Sequence, residues 1–139
     1  MSKRLLTTIR TNYMNRKEFE ELVPFLYDEA IEHPFKSDET TAVFRHKANR
    51  KWFAVVMTIS KNKLGIPSDG TIDIVNLKCA QEILDSLWQE KGIFPAYHMS
   101  KGHWLSVALD GSVDSDTIKW LLEISYDLTR TKIPRKKTK

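Results

Sequence analysis

Hydrophobic side chains recur at helical spacing in three stretches of the chain. The clearest stretch, from Ala80 to Trp88, places apolar residues at positions i, i+3, i+4, i+7 and i+8, and Gly92 can end this helix. An earlier helix is predicted from about Arg16 to Val23, after an N-cap at Asn15. Pro24 predicts a kink or a new helix start, because proline lacks an N–H and its ring crowds the preceding turn.

The third helix is predicted to begin near Asp114, because negative charge favours a helix N-terminus. One face of it carries Ile118, Leu121, Leu122, Ser125 and Leu128. The helix is expected to fade before Pro134, and the pair Asp110-Gly111 predicts the turn that precedes it.

Runs of β-branched and aromatic residues predict five strands, which cover residues 41–46, 52–60, 71–77, 94–99 and 103–109. The polar connection Lys47–Lys51 joins the first two strands as a hairpin, and Ser100–Gly102 joins the last two. In the third strand, Ile72 and Ile74 are predicted to point inward. The segment from Glu32 to Asp38 is expected to be loop.

These elements follow one another in the order α-β-β-β-α-β-β-α. Helices at both ends and one helix between strands predict an α+β fold, in which an antiparallel sheet of about five strands carries helices on one face. A chain of 139 residues with 41% hydrophobic residues fits a single globular domain.

The chain is expected to be a cytoplasmic protein that does not enter a membrane. No apolar run approaches the ~18 residues of a membrane-spanning helix, and the N-terminus has no apolar signal segment. Cys79 is the only cysteine, so no intrachain disulfide can form. Cys79 lies at the start of a predicted helix, where the positive end of the helix dipole could lower the pKa of the thiol. No Cys-x-x-Cys or zinc-finger spacing accompanies it, so a buried, inert thiol is expected.

The sequence carries no recognisable catalytic apparatus. It has no G-x-S-x-G elbow, no P-loop and no G-x-G-x-x-G, and no pair of carboxylates is singled out by its spacing. The candidates for metal or nucleophilic chemistry are Cys79, His33, His46, His98 and His103. They show no metal-binding spacing. The histidines are more simply interpreted as surface residues or as hydrogen-bonded core residues. We therefore expect no enzyme activity, no metal site and no cofactor.

Positive charge is concentrated in two parts of the chain, although the net charge is only +4. Residues 41–78 carry seven cations against Asp69 and Asp73, and residues 130–139 carry six cations and no acid. Such a basic tail is typical of a solvated chain end, and it also attracts phosphates without specifying a sequence.

The first predicted hairpin combines cations with aromatic residues. Its cations and those of the following loop are Arg45, Lys47, Arg50, Lys51, Lys61 and Lys63. Phe44 and Trp52 flank the hairpin tip. Cations on a protruding hairpin can follow a phosphate backbone. The alternative is that they solubilise an exposed turn while the aromatic residues belong to the core.

Several blocks of sequence, in one order, carry a family resemblance: TAVFRHKANRKWFAVVM, DIVNLKC, GIFPAYHMSKGHWLSVALDGSV and ISYDLT. The chain resembles the MmcQ/YjbR family over about residues 15–129. The resemblance implies a CyaY-like α+β fold for that domain. Residues 1–14 are then an N-terminal extension, and residues 130–139 are a basic C-terminal tail.

Members of this family are described as DNA-binding proteins with a double-wing motif, in which two β-hairpin loops flank the duplex. The resemblance implies that the wings are Arg45–Trp52 and Met99–Trp104. The contacting residues that it implies are Arg45, Lys47, Arg50, Lys51, Lys101 and His103. Trp104 is expected to fill the core, with His103 anchoring the second hairpin.

The leading hypothesis is a non-enzymatic, monomeric DNA-binding domain whose affinity is electrostatic. The second hypothesis is a protein-interaction or small-ligand module on the same fold, with the basic tail incidental. Metal handling is suggested only by the CyaY-like fold, because the acids of the first helix, Glu18, Glu20 and Glu21, are few and lie among cations.

Overall fold

The computed structural model of the chain describes residues 13–29, 31–38 and 40–131, so the predicted extension and most of the predicted tail lie outside it. Its helices are α1 (Arg16–Tyr27), α2 (Gln81–Trp88) and α3 (Ser115–Thr129), with a 3-10 helix at Lys61–Leu64. Its strands are β1 (Ile31–Glu32), β2 (Ala42–Arg45), β3 (Trp52–Ser60), β4 (Thr71–Lys78), β5 (Ile93–Pro95) and β6 (Trp104–Ala108).

The strands form one antiparallel sheet in the order β1-β2-β3-β4-β6-β5, and the three helices cover one of its faces. This confirms the predicted α+β class and, apart from one strand, the predicted order. The extra strand is β1, which begins at Ile31 and reaches Glu32, where a loop was expected. A two-residue strand is too short to show the alternation by which strands are predicted.

Helix α1 begins with the predicted capping box. The Glu18 N–H donates to Asn15 Oδ1 at 2.8 Å, and the Asn15 N–H donates to Glu18 Oε1 at 2.9 Å. The helix does not end at Val23 or start anew at Pro24, because one continuous helix runs on to Tyr27 with Pro24 inside it. Pro24 lies on the exposed side, so water can hydrate the carbonyl that loses its partner one turn earlier.

The main core lies between the sheet and the helices, and β4 shows which strand face belongs to it. Val75 and Leu77 point into this core, whereas Ile72 and Ile74 belong to a smaller cluster on the opposite face. The two isoleucines are buried, as predicted, but on the face away from the helices. Strand β4 is central and buried on both faces, so alternation along it does not distinguish them.

Helix α3 buries Ile118, Leu121, Leu122 and Ser125 as predicted. Leu128 is instead 36% exposed, and the neighbouring Thr129 is buried in its place. The Thr129 hydroxyl can be buried because it donates to the Ser125 carbonyl at 2.8 Å and lies 2.8 Å from His46 Nε2. Leu128 lies outside the buried face of α3.

Candidate nucleic-acid interface

Both predicted wings lie at the same end of the sheet. Lys78, at the end of β4, pairs with Trp104 at the start of β6. The Lys78 N–H donates to Ser125 Oγ at 2.8 Å, and that hydroxyl donates to the Phe53 carbonyl at 2.6 Å, so the start of β3 lies at the same level. Three strand spacings, about 14 Å, separate the axes of the two hairpins.

The first wing, residues 46–51, is fixed to the C-terminal end of α3. The buried His46 ring places Nε2 2.8 Å from Thr129 Oγ1, and Asn49 Nδ2 donates to the Thr129 carbonyl at 2.8 Å. Within the wing, the His46 N–H donates to the Lys51 carbonyl at 2.9 Å. The tip is therefore held by hydrogen bonds to residues about 80 positions away.

The second wing spans residues 96–103 and not Met99–Trp104 as predicted, because β5 ends at Pro95 and the predicted strand over residues 94–99 is mostly turn. This wing is fixed to the sheet by a buried polar pair. Asn76 and Ser106 are fully buried, Asn76 Nδ2 donates to the Tyr97 carbonyl at 2.9 Å, and the Tyr97 N–H donates to Ser106 Oγ at 3.0 Å. His103 is exposed and secures the hairpin through its carbonyl, which accepts from the Cys79 N–H at 2.8 Å. Trp104 is half-buried, so it does not fill the core as predicted.

Each wing contains a residue other than glycine in the left-handed backbone region. Arg50 has φ 64° on the first wing and His98 has φ 61° on the second, and both side chains are exposed. In this region a β-carbon costs about 1–2 kcal/mol relative to the right-handed conformation. Strained residues cluster where their side chains have a role, which makes both positions functional candidates.

Ion pairs separate the cations of the first wing into two groups. Arg45 Nη2 lies 3.0 Å from Glu32 Oε1 with its side chain only 18% exposed, and Lys47 Nζ lies 3.9 Å from Asp28 Oδ2. Within the described part of the chain, Arg50 and Lys51 have no ion-pair partner. These two exposed side chains are the ones that can reach a phosphate without breaking an internal contact.

The remaining predicted site residues fall into two places. Lys101 and His103 are exposed on the second wing. Lys61 and Lys63 lie in the 3-10 helix after β3, at the opposite end of the sheet from the wings. The nine residues of β3 span roughly 26 Å, so these two lysines do not join the cations of the wings.

The buried His46 makes the anchoring of the first wing sensitive to pH. Burial lowers the pKa of His46, and the nearby Glu29 carboxylate opposes that shift in part. A histidine with a lowered folded pKa stabilises the fold above its unfolded pKa of about 6.5, and this stabilisation is lost as the pH falls through the folded pKa.

We therefore expect the melting temperature to fall between about pH 7.5 and about pH 5.5, since the unfolded chain takes up this proton first. Circular dichroism melts of the wild type and of His46→Gln measure the difference. Glutamine can still donate to Thr129 but does not titrate here. Equal pH dependence in the two proteins would show that His46 is not responsible.

Outside the wings, the described residues offer little chemistry. Burial raises the pKa of the Cys79 thiol, so the cysteine is a packing residue, as predicted. Over residues 13–29, 31–38 and 40–131, no three His, Cys, Asp or Glu side chains are grouped so that they could hold a metal ion. In the same ranges, no helix has the length and apolar character needed to cross a membrane.

The fold and the sequence blocks of this chain are similar to those of known proteins. The YjbR family model matches residues 26–128. The chain belongs to the MmcQ/YjbR family. YyaQ of Bacillus subtilis (strain 168) is 36% identical over 117 residues, which cover 84% of this chain and 99% of that protein. YjbR of Escherichia coli (strain K12) is 35% identical over 66 residues, which cover 47% of this chain and 56% of that protein.

Solved structures of similar proteins show the same fold. A crystal structure of a Pseudomonas syringae protein superposes with a TM-score of 0.83 at 42% identity, covering 84% of this chain and 100% of the other. A Deinococcus radiodurans protein superposes with a TM-score of 0.65 at 27% identity, covering 88% of this chain and 83% of the other. The family and fold that the sequence resemblance implied are therefore confirmed.

The sequence did not reveal the residues that hold the wings in place. Neither Thr129 nor Asn76 was identified as an anchoring residue. An amide inside a buried strand is a usable signal, because it must find hydrogen-bond partners there. The left-handed conformation of Arg50 has only a weak signal in the sequence. That signal is the preceding Asn49, a residue type that tolerates positive φ in turns.

Proposed function

We propose that this protein is a non-enzymatic DNA-binding protein that contacts the duplex with its two wings. The observation that carries the proposal is their arrangement: two anchored hairpins leave the same end of the sheet with their axes about 14 Å apart. That spacing is close to the ~12 Å width of the major groove of B-DNA. Two hairpins so placed can contact phosphates on both sides of a groove.

The available charges match this role. Arg50 and Lys51 on the first wing and Lys101 on the second are exposed cations with no ion-pair partner in the described residues. Contacts between such cations and phosphates release counterions, which supplies affinity without sequence preference. Binding through these residues is therefore electrostatic, and its strength falls as salt is added.

The basic tail, residues 130–139, follows directly on the end of α3. Thr129, which is bonded to His46 and Asn49 of the first wing, is the last residue of α3. The chain leaves the fold at this point and carries six cations over residues 130–139. The tail starts beside the first wing, so both can act on one stretch of DNA.

Arg50→Gly tests the proposal with a variant that should not harm the fold. Glycine relieves the left-handed strain at a smaller entropic cost, so the free energy of unfolding should rise by about 0.5 kcal/mol. Affinity for duplex DNA should fall, and the log–log salt slope should shrink by about 1, because one phosphate contact is lost. Urea denaturation and fluorescence anisotropy measure the two effects.

Asp28→Gly is the control for the stability effect, since Asp28 has φ 56° and the same strain is relieved there. It should give a similar gain in stability. It also frees Lys47 of the first wing from its ion pair and removes a negative charge, so its affinity for DNA should be equal to or tighter than that of the wild type. Unchanged affinity in Arg50→Gly would remove Arg50 from the interface and contradict the proposed use of the first wing.

A further inference from the structure

An open cleft of about 530 Å³ lies on the face of the sheet that the helices leave uncovered. Its floor is formed by β3, including Val55 and Met57. This volume is within the ~300–1,000 Å³ of typical small-ligand sites. The cleft begins beside both wings, at Trp52 and Met99, and extends along the strand to Lys63.

Aromatic rings form the two sides of the cleft. On one side, Phe35 is 39% exposed and meets Trp52 edge to face, with ring centroids 6.0 Å apart. On the other side, the rings of Tyr97 and His98 are stacked at 3.9 Å. The Tyr97 backbone is hydrogen-bonded to the buried Asn76 and Ser106, so this wall is held in place. A flat ring that enters the cleft can therefore contact aromatic side chains of both pairs, since all four line it.

The charges around the cleft favour an anionic ligand. Lys63 lines the end far from the wings, and Lys101 lies on the second wing at the other end. Asp38 is the acid among the lining residues and keeps its negative charge, because the hydroxyls of Thr40 and Thr41 donate to it and lower its pKa. It lies on the side of Phe35 and Thr41, so the phosphates are placed at the two ends of the cleft, where Lys63 and Lys101 lie. A ligand with a flat ring and flanking phosphates matches this arrangement of rings and cations.

We infer that the cleft binds a nucleotide with its base unstacked between the aromatic walls and its phosphates directed to the cations at the two ends. Unpaired bases are bound in this way by other proteins, because every base has a π-face that can stack on an aromatic side chain. The inference rests on the proposed DNA-binding function for the source of the nucleotide, since the cleft opens next to the wings. The wings then bind the duplex while the cleft receives one displaced or unpaired base.

The test measures how tightly the full chain binds two labelled DNA probes. One is a fully paired duplex, and the other is the same duplex with one extra, unpaired thymine. Fluorescence anisotropy should give about tenfold tighter binding of the bulged probe, within the range of one base–aromatic stack. Trp52→Ala should reduce this ratio to near one and leave the affinity for the paired duplex within about twofold. A ratio of one in the wild type, or an unchanged ratio in Trp52→Ala, would overturn the inference.

Two further variants make the comparison specific. Trp120→Ala is the matched control, because Trp120 is 48% exposed on α3, on the opposite side of the sheet, and should keep the tenfold ratio. Lys63→Glu changes an exposed residue of the cleft and should weaken binding of the bulged probe more than binding of the paired duplex. This variant decides the question if Trp52→Ala does not fold.

A titration with thymidine 5′-monophosphate, followed by NMR, distinguishes a free nucleotide from one in a strand. Shifts of the Trp52 and Tyr97 amides without any binding of either duplex would support the cleft while the proposed duplex function fails. Binding of the paired duplex with neither a bulge preference nor these shifts would overturn the cleft and leave the wings standing. No binding of any probe would overturn both.

Discussion

Reversing the charges of Arg50 and Lys51 together, as R50E/K51E, should weaken duplex binding by roughly 100-fold at low salt. These are the exposed cations of the first wing that have no ion-pair partner in the described residues. Reversal removes two phosphate contacts and adds repulsion at the same points. The log–log salt slope should therefore shrink by about 2 as well, and fluorescence anisotropy over a series of salt concentrations measures both quantities.

The double variant K61E/K63E is the matched control for this prediction. It changes the net charge by the same amount, but at the opposite end of the sheet, roughly 26 Å from the wings. At about 0.1 M salt its affinity for a fully paired duplex should stay within about twofold of the wild type, since the Debye length there is about 10 Å and charges at that distance are screened. Equal losses in the two double variants would mean that net charge, and not the first wing, determines binding.

Phe53→Ala should have the largest effect on stability, lowering the free energy of unfolding by about 3–5 kcal/mol. Phe53 is fully buried at the start of β3, where the register with β2 shifts. Its ring meets Tyr126 edge to face at 4.9 Å and Tyr27 at 6.0 Å. The loss is large beside the ~5–15 kcal/mol that stabilise a typical domain.

Urea denaturation of Phe53→Ala, with Phe25→Ala as its control, measures this effect. Phe25 is the same residue type but is 84% exposed on α1, so its removal should change stability by less than about 0.5 kcal/mol. Because Phe53 also contacts the His46 ring at 4.9 Å, its removal should loosen the first wing too. Similar losses in the two variants would contradict the described core.

Elements with strong local signals were predicted well from the sequence. The Asn15 capping box and the apolar stripe of α2 are determined by residues within a few positions of one another, and both are present. The failures have non-local causes. Strand β1 exists because Ile31 pairs with Phe44, and the two faces of β4 are both buried because other elements cover them.

The candidate site could be predicted in position but not in detail. The two hairpins were identified from β-branched runs separated by polar residues, and they are present. Their common end of the sheet depends on β6 inserting between β4 and β5, which no local pattern encodes. Likewise, the ion pair that engages Arg45 depends on Glu32 in the unpredicted β1. The cations could therefore be identified from the sequence, but not which of them are free of internal ion pairs and so able to contact a partner.

The proposed function requires that the folded domain, and not only its basic tail, binds DNA. It is tested most directly by the salt dependence of duplex binding for the full chain and for a chain ending at Thr131, which keeps every described helix and strand. We predict that the shortened chain still binds, more weakly, with a log–log slope equal to several phosphate contacts at about −0.9 each. Loss of all binding with the tail would contradict the two-wing interface.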